Sequence, residues 1–307
     1  MEVSDSEYAD DTAVLFPSRA ELEKWAPVLI QTFADFGMEV HIKRPGDRKE
    51  KTIVLFVAVQ GCEYDRYYAS AGGAGTYGGT DLSDIKLPCG GLIPVKEEAK
   101  YLGSTLNRNA DHAVDIAARI KKAGSAFGRL KPLIFKSKGI SLGAKRAAYV
   151  TCVLSILLYG SEMWVLSARS RRKLRSFHRR CVRCICGVNM WHVKNQKITT
   201  KQIFEKAELS DIDTYLSRRR LRWLGHVSRM DWSRTPRKLL TAWCYQKRPA
   251  SRPVLRWAES IEADIKFAKL NITKWHEEAS DKEKWKEMTR CLGLPKERKR
   301  KQRRRQQ

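Results

Sequence analysis

Two adjacent carboxylates, Asp10 and Asp11, stand inside the stretch Tyr8-Ala9-Asp10-Asp11-Thr12-Ala13-Val14-Leu15-Phe16. They repel each other, so a chain that holds them side by side before a β-forming run needs either a polar corner or their charge. Asp is a common turn residue, which makes a plain hairpin corner the simpler reading. The chemical reading is divalent-metal binding. Mg2+ takes hard oxygen ligands, and phosphoryl transfer uses two such ions to clamp the attacking and leaving oxygens. Residues 7–9 and 12–16 read as two short strands, and a tight turn between them would hold both carboxylates at a sheet edge.

A second group is His178, Cys181 and Cys184 at i, i+3 and i+6, with Cys186 and His192 beyond. Zinc accepts such ligands. The stretch, however, carries a helical pattern, and three-residue steps drift around a helix of 3.6 residues per turn, so the side chains converge poorly. Buried thiols on an amphipathic helix are the favoured reading. His226 has no recognisable carboxylate partner and reads as a packing or surface residue. The Trp residues at 223, 232, 243, 257, 275 and 285 offer faces for base stacking; apolar neighbours at helical spacing make core anchoring the commoner role.

Charge is the third signal. The 307 residues carry a net +26, distributed unevenly. Residues 1–100 hold 11 Lys/Arg against 17 Asp/Glu (−6), and residues 101–307 hold 49 against 17 (+32). An excess of that size exceeds what solubility needs and points to a polyanionic partner, nucleic acid above all. Arg172, Arg175, Arg179 and Arg183 recur at three- and four-residue steps on one broad helical face, and Arg220 and Arg222 form a second basic segment. No run of about 18 apolar residues exists to span a membrane. The acidic N-terminus argues against a targeting peptide, and the eight scattered Cys read as thiols rather than a disulfide framework.

The elements that must position these residues change character along the chain. Ser18-Arg19-Ala20-Glu21 has the form of a capping box. It opens a helix with Leu22, Trp25, Leu29, Phe33 and Phe36 at helical spacing, Pro27 inside and Gly37 as its stop. Residues 38–42 and 52–59 read as strands, residues 60–84 as a Gly- and Tyr-rich flexible loop, and residues 85–87 and 92–95 as a hairpin around Pro88-Cys89-Gly90-Gly91. From 111 onward the pattern is helical. The first helix runs to about Leu130, with Val114, Ala117, Ile120, Ala123 and Phe127 as its stripe and Pro132 as its end. The second is capped by Ser141. The third starts at Ser167 or Ser170 and places Leu174, Phe177, Cys181 and Ile185 inside. Shorter basic helices follow to 292, and residues 296–307 are basic low-complexity sequence.

With these elements in place, Tyr8-Ala9-Asp10-Asp11 resembles the YxDD-type catalytic hairpin of reverse transcriptases. Tyr101-Leu102-Gly103-Ser104 resembles their primer-grip hairpin. Leu158-Tyr159-Gly160-Ser161-Glu162-Met163-Trp164 and Arg220-Leu221-Arg222-Trp223-Leu224-Gly225-His226-Val227-Ser228-Arg229-Met230 resemble signatures of non-LTR (LINE-like) retrotransposon polymerases, as do Arg252-Pro253 and Arg256-Trp257. Ser251 stands where such proteins usually have Gly, His41 stands at a usual Asn, and residues 60–84 look like an insertion.

The resemblance implies an α+β chain, a small antiparallel palm-remnant sheet followed by a mainly helical thumb and a basic helical C-terminal region. Residues 1–106 would be a truncated palm with the catalytic and primer-grip-like hairpins. Residues 107–198 would be the thumb, 199–294 the Trp-rich basic region and 295–307 a disordered tail. It further implies Mg2+ at Asp10 and Asp11, with the third metal-binding Asp and the fingers lying upstream and absent here. Tyr101, Leu102 and Gly103 would seat a primer end. Arg172, Arg175, Arg179, Arg183, Arg220 and Arg222 would contact primer–template duplex or RNA. Such a chain is expected to bind nucleic acid in the nucleus or cytoplasm without polymerising alone, unless a complete polymerase or a palm-and-fingers segment acts in trans. The rival readings are a non-catalytic nucleic-acid-binding protein and a functionless pseudogene product.

Overall fold

The structure is a computed structural model that describes residues 5–8, 11–44, 46–47, 50–57, 76–77, 80–109, 111–241 and 256–293. The described residues are mainly helical with short strands in two-stranded sheets, an α+β chain. They divide into two compact units, which part between Val114 and Asp115.

In the N-terminal unit, β1 (Asp5–Tyr8) pairs antiparallel with β2 (Asp11–Val14), Tyr8 opposite Asp11. Helix α1 (Arg19–Asp35) begins where the Ser18 hydroxyl accepts from the Glu21 N–H at 3.2 Å. Only half of the capping box forms, because the Glu21 carboxylate instead accepts from Trp25 Nε1 at 2.8 Å. Gly37, at φ 77°, ends the helix. Its N–H donates to Ala34 and that of Met38 to Phe33, the paired bonds that close a helix through a left-handed residue. Pro27 lies within α1.

The strand expected over residues 38–42 does not form. Met38 is exposed, and pairing is confined to one bridge between Lys43 and Leu92. Of residues 52–59, the described residues 52–57 contribute β3 (Val54–Leu55), and 58–59 lie outside the described residues. Of the expected loop, residues 60–75 and 78–79 lie outside the described residues, while β4 (Thr76–Tyr77) pairs with β5 (Thr80–Asp81). The hairpin of β6 (Ile85–Lys86) and β7 (Leu92–Ile93) forms as read, and β8 (Val95–Lys96) lies parallel to β3. The core here is small: Ala26, Ile85, Leu87 and Ile93, with Leu22, Ile30, Ile42, Val54 and Val95 against them. β9 (Glu98–Tyr101) and β10 (Ser104–Asn107) make the last hairpin.

The second unit is built on helices. α2 (Ala113–Leu130) continues into a π-helical turn (Lys131–Phe135), so the helix widens and runs past Pro132 to Phe135 rather than ending at the proline. α3 (Leu142–Tyr149), capped by Ser141, passes through a second π-helical turn (Val150–Leu154) into α4 (Ser155–Leu157). This composite helix is central, with Tyr149, Val153 and Leu157 each at 0% exposure. α5 (Ala168–Ile185) is capped by Ser167 and closed by Gly187 at φ 68°. Leu174, Phe177, Cys181 and Ile185 face inward as the periodicity predicts. α6 (Met190–Asn195) and α7 (Thr200–Ala207) follow, and then α8 (Ile212–Ser228), against which α9 (Thr235–Thr241), α10 (Trp257–Phe267), α11 (Trp275–Ser280) and α12 (Lys282–Cys291) pack.

The buried stripe of α2 differs from the sequence reading. Asp115, Ile116, Arg119, Ala123, Ala126 and Phe127 are buried, whereas Ala117 is exposed. Two charged residues can occupy that face because they compensate each other. Arg119 Nε lies 3.5 Å from the Asp115 carboxylate, whose other oxygen accepts from Trp164 Nε1 at 3.0 Å.

Candidate nucleic-acid interface

The paired acidic residues divide at the edge of what is described. Asp10 lies outside the described residues, and Asp11 opens β2 with an exposed side chain. Among the described residues no group of three His, Cys, Asp or Glu side chains is placed to hold a metal ion. The described residues do not by themselves form a Mg2+ site. The expected primer-grip hairpin is a two-residue turn between Tyr101 and Ser104. Leu102 at φ 47° and Gly103 at φ 79° both adopt the left-handed conformation that such turns require.

The Cys/His group resolves as core. His178 is 1% exposed, its Nε2 3.0 Å from the Ser210 carbonyl and its Nδ1 2.7 Å from the Tyr149 hydroxyl. A carbonyl only accepts, so Nε2 carries the proton and Nδ1 accepts from Tyr149. The ring stacks between Tyr149 and Phe204. Burial holds its pKa down at about 4 against the donor bond to Ser210, so the ring is neutral. Burial likewise pushes the Cys181 thiol up to about 12, the state of an inert core thiol.

The two polymerase-like signatures also turn inward. In Leu158–Trp164, Leu158, Ser161 and Trp164 are buried, Gly160 turns the chain at φ 70°, and Tyr159 carries the Arg119 guanidinium 4.2 Å above its ring. Glu162 receives two other segments: its carbonyl accepts from Trp257 Nε1 at 2.8 Å, and its carboxylate stands 3.7 Å from Arg219. Around the second signature, Arg218 just before it donates twice to the Leu292 carbonyl (3.0 and 2.6 Å), and Arg229 donates to the Ala279 carbonyl. Gly225 is Gly because Trp285 occupies the space. A Cβ there would fall 2.2 Å from Trp285 Nε1, which donates to the Leu221 carbonyl at 2.8 Å.

Arg220 is a correction to the expected interface. It is 5% exposed and holds Asp264 through two bonds, Nε to Oδ2 at 2.5 Å and Nη2 to Oδ1 at 2.9 Å, with Ser217 on the same carboxylate. A guanidinium so enclosed stabilises the helix pair and does not reach a phosphate. Its neighbour Arg222 is exposed. Of the Trp residues, 285 is buried, 257 and 275 are half-buried among the helices, 223 lies beside His226, and 243 lies outside the described residues. Trp232 is exposed, with Arg237 over its ring at 4.3 Å.

The cationic face of α5 is real but not uniform. Arg172, Arg175 and Arg179 are exposed and Arg183 half-buried. Arg175 is already engaged: its Nε is 2.6 Å from Asp213, a hydrogen bond that raises its pKa, and Arg171 approaches the same carboxylate at 3.7 Å. Arg172, Arg179 and Arg183 make no ion pair among the described residues, nor do Lys173 and Arg180, which the sequence reading did not single out.

No family model and no solved structure matches the chain. Over 196 residues it is 26% identical to an uncharacterized transposon-derived protein of Caenorhabditis elegans, a match covering 62% of this chain and 68% of that protein. Over 108 residues it is 31% identical to a protein named as a probable RNA-directed DNA polymerase from transposon BS of Drosophila melanogaster, a match covering 34% of this chain and 12% of the fly protein. The chain is related to transposon-encoded proteins. For this retroelement-related chain, the matched share of the fly polymerase is too small to carry that protein's activity across. What the geometry offers is a helix on which Arg172, Lys173, Arg179, Arg180 and Arg183 make no ion pair among the described residues while Asp213 holds Arg171 and Arg175.

Proposed function

We propose that this retroelement-related protein binds nucleic acid through the phosphate backbone, using the exposed face of α5, and does not polymerise on its own. The observation that carries the reading is the set Arg172, Lys173, Arg179, Arg180 and Arg183. These cations sit on one helix, and none makes an ion pair among the described residues. Like charges so close repel one another and condense counterions. A polyanion relieves both, and contacts of this kind position a backbone without reading bases.

Full-length protein titrated with oligonucleotides of unrelated sequence should bind all of them similarly. Affinity should fall by about 10³ or more between 50 and 200 mM salt if six or more phosphates are contacted. Replacing the five cations with Gln should flatten the slope. An unchanged slope would assign the charge effect to the tail beyond 294 and overturn the reading.

Catalytic silence belongs to the same proposal. Asp10 and Asp11 would supply two carboxylates toward a Mg2+ ligand set; two-metal phosphoryl transfer needs more ligands than these, and among the described residues no group of three His, Cys, Asp or Glu side chains is placed to hold an ion. Primer extension with Mg2+ or Mn2+ should give no product unless another polypeptide completes the set. Robust extension abolished by Asp11→Ala would overturn this part.

A further inference from the structure

A groove of about 620 Å³ runs between α2 and α5. Its α5 wall carries Arg172, Lys173, Arg180 and Arg183; its α2 wall is Ala117 and Ile120; Phe177 lies between them. The two helices close on each other at Gly124, where a Cβ would sit 3.7 Å from the Phe177 ring. The four cations lie within residues 172–183, eleven helical steps that make about three turns or about 16 Å. The two walls differ in kind, one charged and the other methyl-lined.

We propose that this groove holds a single strand of nucleic acid, its phosphates along α5 and its base faces against Ala117 and Ile120; the inference rests on the phosphate-binding reading of α5. A duplex carries phosphates on both sides of its grooves. Seated here, it would leave one charged strand against alkyl groups, which offer no counter-charge and strip its water. A single strand has one charged edge and one flat apolar face, matching the walls in order. Single-strand grooves combine a cationic track with apolar or aromatic contact to bases. Phe177, 4% exposed, closes the floor of the groove, with the Arg180 guanidinium 5.7 Å from its ring centre, and the exposed Ser176 supplies a hydroxyl at the lip. Arg171 and Arg175, held by Asp213, take no part.

The test uses full-length protein and three probes of one sequence: single-stranded DNA, single-stranded RNA and the blunt DNA duplex. Anisotropy is followed from 50 to 200 mM salt. Ala117→Glu puts a carboxylate on the exposed, uncharged wall at a helix-compatible site. It should weaken single-strand binding about tenfold while moving duplex affinity less than twofold. The strand with the larger loss identifies the polymer the groove holds. Arg172→Gln with Arg180→Gln should flatten the single-strand salt slope by about 1.4, from about 0.7 per phosphate. Equal loss for duplex and single strand, or none for either, overturns the groove assignment while leaving phosphate binding by α5 intact. Wild-type protein that binds none of the probes overturns both. Competition by polyglutamate as strong as by the oligonucleotide at equal charge also overturns the groove assignment.

Discussion

Trp257 Nε1 donates to the Glu162 carbonyl at 2.8 Å, across 95 residues of sequence. The bond joins two segments that resemble separate polymerase signatures, and Arg219 from a third segment approaches the same residue. Trp257→Phe keeps most of the ring and removes the donor. It should cost about 1 kcal/mol in chemical unfolding and leave the salt dependence of oligonucleotide binding unchanged. A binding defect in folded Trp257→Phe protein would show that the signature contacts nucleic acid directly.

Arg220 and Asp264 should behave as a buried pair. Arg220→Ala strands a carboxylate at 4% exposure and is expected to destabilise by about 3–5 kcal/mol. Replacing both partners with apolar residues of similar volume should cost much less. Equal costs for the single and double replacements would mean that Ser217 or water satisfies Asp264 without Arg220.

Gly225→Ala tests the close approach of Trp285. Within a helix the exchange ordinarily gains about 1 kcal/mol. Here the added methyl meets the indole at 2.2 Å, so a net loss of about 1–3 kcal/mol is expected. A stabilised variant would contradict the packing of α12 on α8.

His178 predicts a pH dependence of known sign. Its pKa is about 4 in the folded chain, against an ordinary value of 6.5. Between those values the unfolded chain binds the proton and the folded chain does not. The contribution is therefore fully present above pH 6.5 and declines as pH falls toward 4, by up to about 3 kcal/mol. Unfolding free energies at pH 7 and 4.5 should diverge more for wild type than for His178→Gln. Identical divergence would place the acid sensitivity in other groups.

Local chemistry was readable in the sequence where it acts within one turn. Ser141, Ser167, Gly37 and Gly187 start and stop helices as their side chains or backbone dictate, and the inward stripe of α5 follows from its spacing. Long-range compensation was not readable. Asp115 and Arg119 look like solvent residues until Trp164 arrives from 49 positions away, and Arg220 looks like a phosphate ligand until Asp264 arrives from 44 away. Residues 38–42 have apolar side chains but no partner strand among the described residues, the nearest pairing being the Lys43–Leu92 bridge, and a strand without a neighbour leaves its backbone to water. At the candidate interface, spacing alone identified the α5 row. It could not tell that Asp213 would claim Arg175 and leave Lys173 and Arg180 available.

The meeting of three segments at Glu162 has an evolutionary consequence. The carboxylate ties Glu162 to α8 through Arg219, while its carbonyl would accept from Trp257 whatever side chain stood at 162, so the constraint from α10 falls on Trp257. Surface carboxylates such as Asp11 carry no such constraint from packing. In a lineage released from selection for DNA synthesis, the acidic hairpin would decay early and the Glu162 junction late. Ancestry would then stay visible in the scaffold long after the chemistry had gone.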